Sequence, residues 1–538
     1  MNTSRTARAR LRTGAVVTSA AVVAALAAPP LASAADREDG HDGGSADNAR
    51  GKSHHDSSAK LRRKVDLEDM TRILDKFQAI ADANDGTRAS GTPGYAASRD
   101  YIVSQLEKAG YEPRVQEFDF AFYRQLTPAT FEQTAPTPTT YVDGTDFSLM
   151  TYSGSGDVTA PVQAVDLNLA NPAASNSGCE AADFAGFTPG SIALMQRGTC
   201  SFGTKHTNAE AAGAAAVIVM NQGTPGRTDA FAGTLGAPIA TVPSLGTSFA
   251  IGQALASGAT VHVAASTESE IRPTWNVHAD TRRGDPDQLV HAGAHLDSVV
   301  AGPGINDNGS GSAALLEVAR ELAHTKTTNK VRFSWWGAEE LGLLGSNHYV
   351  DDLVANDPAT LARTKLYLNF DMVASPNYAL FVYDGDNSAF PVGPGAAPGP
   401  PGSAQIERLF HDYFESQDLP SAETPFSGRS DYGPFIAKGI PAGGLFTGAE
   451  GLKTAEQAAL FGGTADAAYD ACYHQECDTI GNINTEALDA NSDAIAHAVW
   501  TFARSMETLS APVTGAVRGD GTPGGGGLHD EAHELPLS

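Results

Sequence analysis

Five short stretches of this 538-residue chain carry side chains that bind metals or move protons. "LVHAGAHLD" delivers His295 and Asp297, "GPGINDNGSG" carries Asp307, "FSWWGAEE" delivers the adjacent Glu339 and Glu340, "LYLNFD" delivers Asp371, and "CYHQEC" carries His474. Adjacent carboxylates repel, and few folds place them at the end of a core strand without compensating positive charge. Two imidazoles and several carboxylates on converging loops carry too much negative charge for a site without cations. Such ligands suit zinc, and a bridging carboxylate lets two ions share one site. The paired glutamates then have unlike tasks: one coordinates, and the other is free to move a proton. Singly, each residue has a plainer reading. A lone His or Asp on a loop is a turn former, and Glu339-Glu340 fits the acidic first turn of a helix. The coincidence of all of them at strand ends points to a site.

The elements that must position these residues alternate. From about Ile271, near-continuous apolar strands ("DQLVHAGAH", "KVRFSWWG", "TKLYLNF", "NYALFVYDG") alternate with amphipathic helices ("GSGSAALLEVARELAHT", "SAQIERLFHDYFESQ", "NSDAIAHAVWTFARSM"). That pattern predicts an α/β fold, a mixed, mostly parallel central sheet covered by helices on both faces. In such sheets ligands sit beyond the carboxyl ends of the strands, where these acids and histidines fall. The glycine-rich "ELGLLGS" after the glutamates is expected to continue as helix. Upstream, "LEDMTRILDKFQAIADAN" and "AASRDYIVSQLEKAG" have helical spacing, with the loop "GTRASGTPGY" between them. Between about Ala129 and Ser269 the texture changes to short β-rich runs with Thr, Pro and Gly turns, which reads as a separate small domain.

The segments "AHLDSV", "GINDNGSG", "WWGAEELGLLGS", "NFDM" and "CYHQECD", with "ASGTPGY", "FSGRSDYGPF" and "GLFTGAE", resemble the secreted two-zinc aminopeptidases of the zinc-dependent exopeptidase superfamily. The likeness spans roughly 61–125 and 271–511. It implies that Asp307 bridges two zinc ions, with His295 and Asp371 completing one and Glu340 and His474 the other. It implies further that Glu339 is the general base, that Tyr473 donates to the oxyanion, and that Asp297 orients His295. Met372 and Phe446 match pocket positions, where core packing is the alternative. Arg429 matches a residue that helps hold bound peptide, with a surface salt bridge as its alternative. Asp489 and Asp493 resemble a structural calcium site in some relatives, although an acidic helix start explains them as well. The segment 129–269, with "FTPGSIALMQRGTCSFGTKHTNAEAAGAAAVIVMNQ", resembles a protease-associated domain. The implied substrates are peptides or proteins with a free N-terminus, with large apolar first residues such as leucine preferred. The rivals are a carboxypeptidase, another amidohydrolase or a glutaminyl cyclase on the same scaffold, and a non-catalytic binding protein.

The remaining sequence sets the context. Arg5, Arg8, Arg10 and Arg12 precede an apolar run and the small-residue site Ala32-Ser33-Ala34, so residues 1–34 read as a secretory signal. Residues 35–60 are His-, Asp-, Gly- and Ser-rich and read as a disordered leader, and 512–538 as a flexible tail. The catalytic part is thus expected at 61–128 and 270–511, split by the insert. Four cysteines in an exported chain predict two disulfides, and locality pairs Cys179 with Cys200 and Cys472 with Cys477. A net charge of -27 argues against nucleic acid or an anionic membrane as partner. A monomer is expected.

Overall fold

The structure, a computed structural model, describes residues 58–513. The signal segment, nearly all of the leader and nearly all of the tail lie outside the described residues. The leader's last residues are ordered rather than disordered. Ala59–Arg62 is helical, Leu61 is buried, and Ser58 Oγ lies 2.8 Å from His497 Nδ1.

The two upstream helices form where the apolar spacing places them. In Leu67–Asp82, the Asp66 carboxylate caps the N-terminus by accepting from the amides of Glu68 and Asp69, and Met70, Ile73, Leu74, Phe77 and Ile80 bury one face. In Pro93–Ala109, Thr92 is the cap, Pro93 occupies the first turn, and Gly110 closes the helix at a φ of 92°.

The sheet is mixed and mostly parallel in its catalytic part. Asp285–His295 lies between Asn329–Trp336 and Thr364–Phe370, parallel to both, and Thr364–Phe370 runs parallel to Ala442–Phe446. Phe381–Tyr383 joins antiparallel, with Ala422–Thr424 parallel at its far side. These strands are buried almost throughout, as their unbroken apolar runs require when helices cover both faces. The covering helices include Gly311–Leu322, Ser403–Ser416 and Thr485–Arg504.

Two long strands carry the chain into the insert and back. Arg114–Ala135 and Thr260–Asp280 pair antiparallel from Arg114↔His278 to Ala135↔Thr260. At one end Thr260–Asp280 pairs with the catalytic strand Asn329–Trp336, and at the other with Gly156–Ala164 of the insert. The boundaries expected near 128 and 270 therefore fall inside continuous strands, because one hydrogen-bonded ladder serves both parts. Within the insert, Ile192–Gln196 and Ala216–Met220 are parallel neighbours, and the helix Phe202–Ala211 leads into the second of them through the Gly-Ala-rich run 211–216. Both disulfides form as paired above, with Cα–Cα separations of 5.8 Å for Cys179–Cys200 and 5.2 Å for Cys472–Cys477. No helix among the described residues is long and apolar enough to cross a membrane.

Candidate metal centre

Parallel pairing brings the polar strand ends to one edge. Trp336 is in register with His295, and Asn369 with Gly293, so the residues just past these strands emerge side by side. After Trp336 the chain turns through Gly337 and Ala338, whose φ is 55°, before presenting the two glutamates. Gly337 has to be glycine, since a Cβ there would run into the Tyr95 hydroxyl and the Trp275 carbonyl. The helix begins only at Leu344, so Glu339 and Glu340 lie in a turn and not in a first helical turn. Left-handed backbone at Gly342 and Leu343 delays it.

Asp307 sits in an irregular turn, Ile305–Ser310, just before the helix Gly311–Leu322. The turn is held from three sides. The Asp478 carboxylate accepts from the amides of Asn306 (2.8 Å) and Asp307 (3.0 Å). Asn308 donates to the Phe370 carbonyl at 2.9 Å and accepts from the amides of Gly311 and Met372. The buried Arg88 guanidinium donates to the carbonyls of Leu296, Pro303 and Gly304. His474 comes from the tight loop closed by the Cys472–Cys477 disulfide.

The side chains converge as a two-lobed cluster. His295 Nε2 is 3.2 Å from both Asp307 Oδ1 and Asp371 Oδ1, and 3.8 Å from Glu339 Oε2. His474 Nε2 is 3.3 Å from Asp307 Oδ2 and 2.9 Å from Glu340 Oε2. Asp307 thus divides its two oxygens between two imidazoles. His295 Nδ1 faces the Asp297 backbone carbonyl at 3.2 Å and its carboxylate at 3.6 Å, and the same carboxylate accepts from the Glu339 amide. Tyr473 stacks on His474 with ring centroids 3.8 Å apart.

The charge balance is unusual. Burial, then Asp307, pushes the Glu340 carboxyl up to about 7, and burial drives Glu339 well above the ordinary range. Burial opposes charge on the imidazoles, yet Asp307 and Glu340 raise His474 to about 10, and Asp371 and Glu339 raise His295 strongly. The protein's own groups therefore balance one another by holding protons between acids and imidazoles. A divalent cation would replace those protons, and the donors fit one. Imidazole nitrogens and carboxylate oxygens suit zinc, and Glu340 Oε1 is buried without a hydrogen-bond partner. His295–Asp307–Glu340 and His295–Glu339–Asp371 each bring three ligand atoms within 4.8 Å of one another.

Other candidates lie differently. Met372 is buried beside Asp371 with a left-handed φ of 48°, and Phe446 is half-buried against Phe381. Arg429 is exposed, whereas its neighbour Ser430 donates to Asp371 Oδ2 at 2.6 Å. Asp493 pairs with Arg62 at 3.3 Å, and Asp489 is exposed. Sequence reasoning missed Arg88, Ser430 and Asp478. The only available signal was that each lies in or next to a motif named above: "GTRASG", "SGRSDY" and "CYHQECD".

Residues 276–499 match the model of peptidase family M28, and residues 158–255 that of the PA domain. An aminopeptidase of Pseudomonas aeruginosa (strain UCBPP-PA14) is 49% identical over 460 residues, which cover 84% of this chain and 83% of that protein. The chain belongs to peptidase family M28. A probable leucine aminopeptidase 2 of Aspergillus fumigatus is 46% identical over 84% of this chain and 86% of its own length. Among solved structures, the aminopeptidase from Aneurinibacillus sp. strain AM-1 superposes with a TM-score of 0.57 at 29% identity, over 85% of this M28 chain and 99% of that one. BSAP, a zinc aminopeptidase from Bacillus subtilis, does so at 0.51 and 25% identity, over 81% and 94%. As an M28 peptidase with a PA domain, the protein is a peptide-bond hydrolase.

Proposed function

We propose that this M28 peptidase is a secreted aminopeptidase that uses two zinc ions and releases large apolar N-terminal residues, leucine among them. The observation that carries the two-ion reading is the division of Asp307 between His295 and His474. Asp307 would hold both ions, His295 and Asp371 one, and Glu340 and His474 the other. Bound zinc supplies Lewis-acid polarisation and an acidified water. The chain's own residues supply the rest. Glu339 takes the proton of the attacking water and passes it to the leaving amine. Tyr473, on the face of His474, donates to the developing oxyanion. Asp297 and Ser430 fix the orientation of His295 and Asp371.

N-terminal action and the leucine preference are supported by the relatives, a leucine aminopeptidase 2 among them. Secretion is supported by the basic, apolar and small-residue sequence of residues 1–34 and by the two disulfides. The deciding experiment compares leucyl peptides with free and N-acetylated amino ends, with zinc counted on the same preparation. Cleavage of the free form alone, with two zinc ions per chain, is the expected result. Equal cleavage of both forms points to a carboxypeptidase or another amidohydrolase, and a single zinc removes the bridging role of Asp307.

A further inference from the structure

A second buried cluster shares no residue with the catalytic centre. Glu407 and His411 stand one turn apart on the helix Ser403–Ser416 and so face the same way. Glu423 comes from the strand Ala422–Thr424, and one ligand atom from each of these three lies within 4.8 Å of the others. All are buried, with 0%, 6% and 1% of their surfaces exposed. Two atoms have no hydrogen-bond partner: Glu407 Oε1 and His411 Nε2. The other atom of each is used. Glu407 Oε2 accepts from the Asp386 amide at 3.0 Å, and His411 Nδ1 lies 2.8 Å from Ser421 Oγ. An interior that satisfies one atom of each side chain and leaves its twin bare has kept donor atoms for something else.

We propose that Glu407, His411 and Glu423 form a further binding site for a divalent transition metal of the zinc class, tying this helix to the edge of the sheet. The imidazole selects against calcium and magnesium, which take oxygen ligands. Asp384 and Asp386 also gather at Glu407. Asp384, however, already serves as the organiser of its own loop, accepting from the amides of Ser388, Ala389 and Phe390. Half-buried Asp386 lies at the rim of the cluster. Burial, then Asp386 and Asp384, raises Glu407 to about 9, and burial lowers His411 to about 4. In the metal-free cluster burial thus favours the uncharged forms of Glu407 and His411, and a cation bound by Glu407 would displace its proton.

The test uses the full chain carrying His295→Ala and His474→Ala, which removes two catalytic-centre ligands. Stripped by chelation and dialysed against zinc, this variant is expected to hold one zinc per chain by elemental analysis, and its melting temperature should rise with zinc. Adding Glu407→Gln, which keeps size and neutrality, should remove that equivalent and the zinc-dependent rise while leaving the metal-free melting temperature in place. Should the double variant not fold, the unmutated chain is compared with Glu407→Gln alone, where one equivalent fewer is expected. Three results overturn the proposal: no zinc in the parent, the same zinc after Glu407→Gln, or filling by calcium in preference to zinc. An error in the two-zinc reading alters the count for the unmutated chain but not this difference.

Discussion

In the insert, Ile192–Gln196 and Ala216–Met220 are fully buried and run parallel, much like Asn329–Trp336 and Asp285–His295 in the catalytic part. The two sets differ in the residues that close the apolar run. The insert's strands end in amides. Gln196 donates to the Gln222 carbonyl and accepts from the Asn168 amide, and Asn221 donates to the Asp229 carbonyl. A neutral amide can spend its capacity on nearby backbone, as these two side chains do. The catalytic strands end in acids and imidazoles that crowd one another and leave Glu340 Oε1 without a partner. At these strand ends, unspent hydrogen-bonding capacity, more than burial or fold, distinguishes the site from its look-alike.

The largest effect that would break this contrast is at the proposed base. Glu339→Gln should keep its metal content and lower turnover by about 10²–10⁴, as measured by kcat alongside elemental analysis. Wild-type turnover would remove Glu339 from the mechanism. Next, Ser430→Ala deletes the hydroxyl that holds Asp371 and should weaken metal affinity by about 10–100-fold, read by competition with a chelator, with full activity restored at saturating zinc.

Acid sharpens the contrast further. His278 is pushed down to about 3 by burial, then by Arg332, and burial holds His291 far below its ordinary value of 6.5. Above pH 6.5 both are neutral whether folded or unfolded, and they contribute no pH dependence. Below it the unfolded chain takes up protons that these two buried imidazoles refuse, so their contribution to stability falls as pH drops from about 6.5 toward 4. All four tryptophans, Trp275, Trp335, Trp336 and Trp500, lie outside the insert and report on the catalytic part. Read by their fluorescence, the melting temperature of His278→Gln should fall by less, or rise by more, than that of the unmutated chain across this window. The smallest effect belongs to the insert. Gln196→Ala should cost about 1 kcal/mol of stability in a denaturant titration and leave kcat unchanged.

Much of this was legible in the sequence because it is local or periodic. Apolar runs and helical spacing placed the strands and helices, and strand-end acids pointed to the metal-binding cluster. The illegible part depends on contacts between distant segments. Arg88 supports the Asp307 turn from more than two hundred positions upstream, and nothing in "GTRASG" records which carbonyls it will meet. Ser430 and Arg429 are neighbours, and only the fold decides which of them faces Asp371. That Asp493 would pair with Arg62 of the first helix, 431 positions upstream, is equally invisible in the sequence around either residue. The helix expected directly after Glu340 starts later because the turn uses left-handed backbone, which apolar spacing does not encode.

The paired strands Arg114–Ala135 and Thr260–Asp280 set a rule for anyone wishing to transplant or delete the insert. A cut at 128 and 270 would sever rungs of a shared ladder and leave the stub of each strand without its mate. Scissors belong beyond its far end, near Ala135 and Thr260, where the last rung closes. The same ladder joins the insert directly to the strand that carries Trp335, so the two parts share paired backbone.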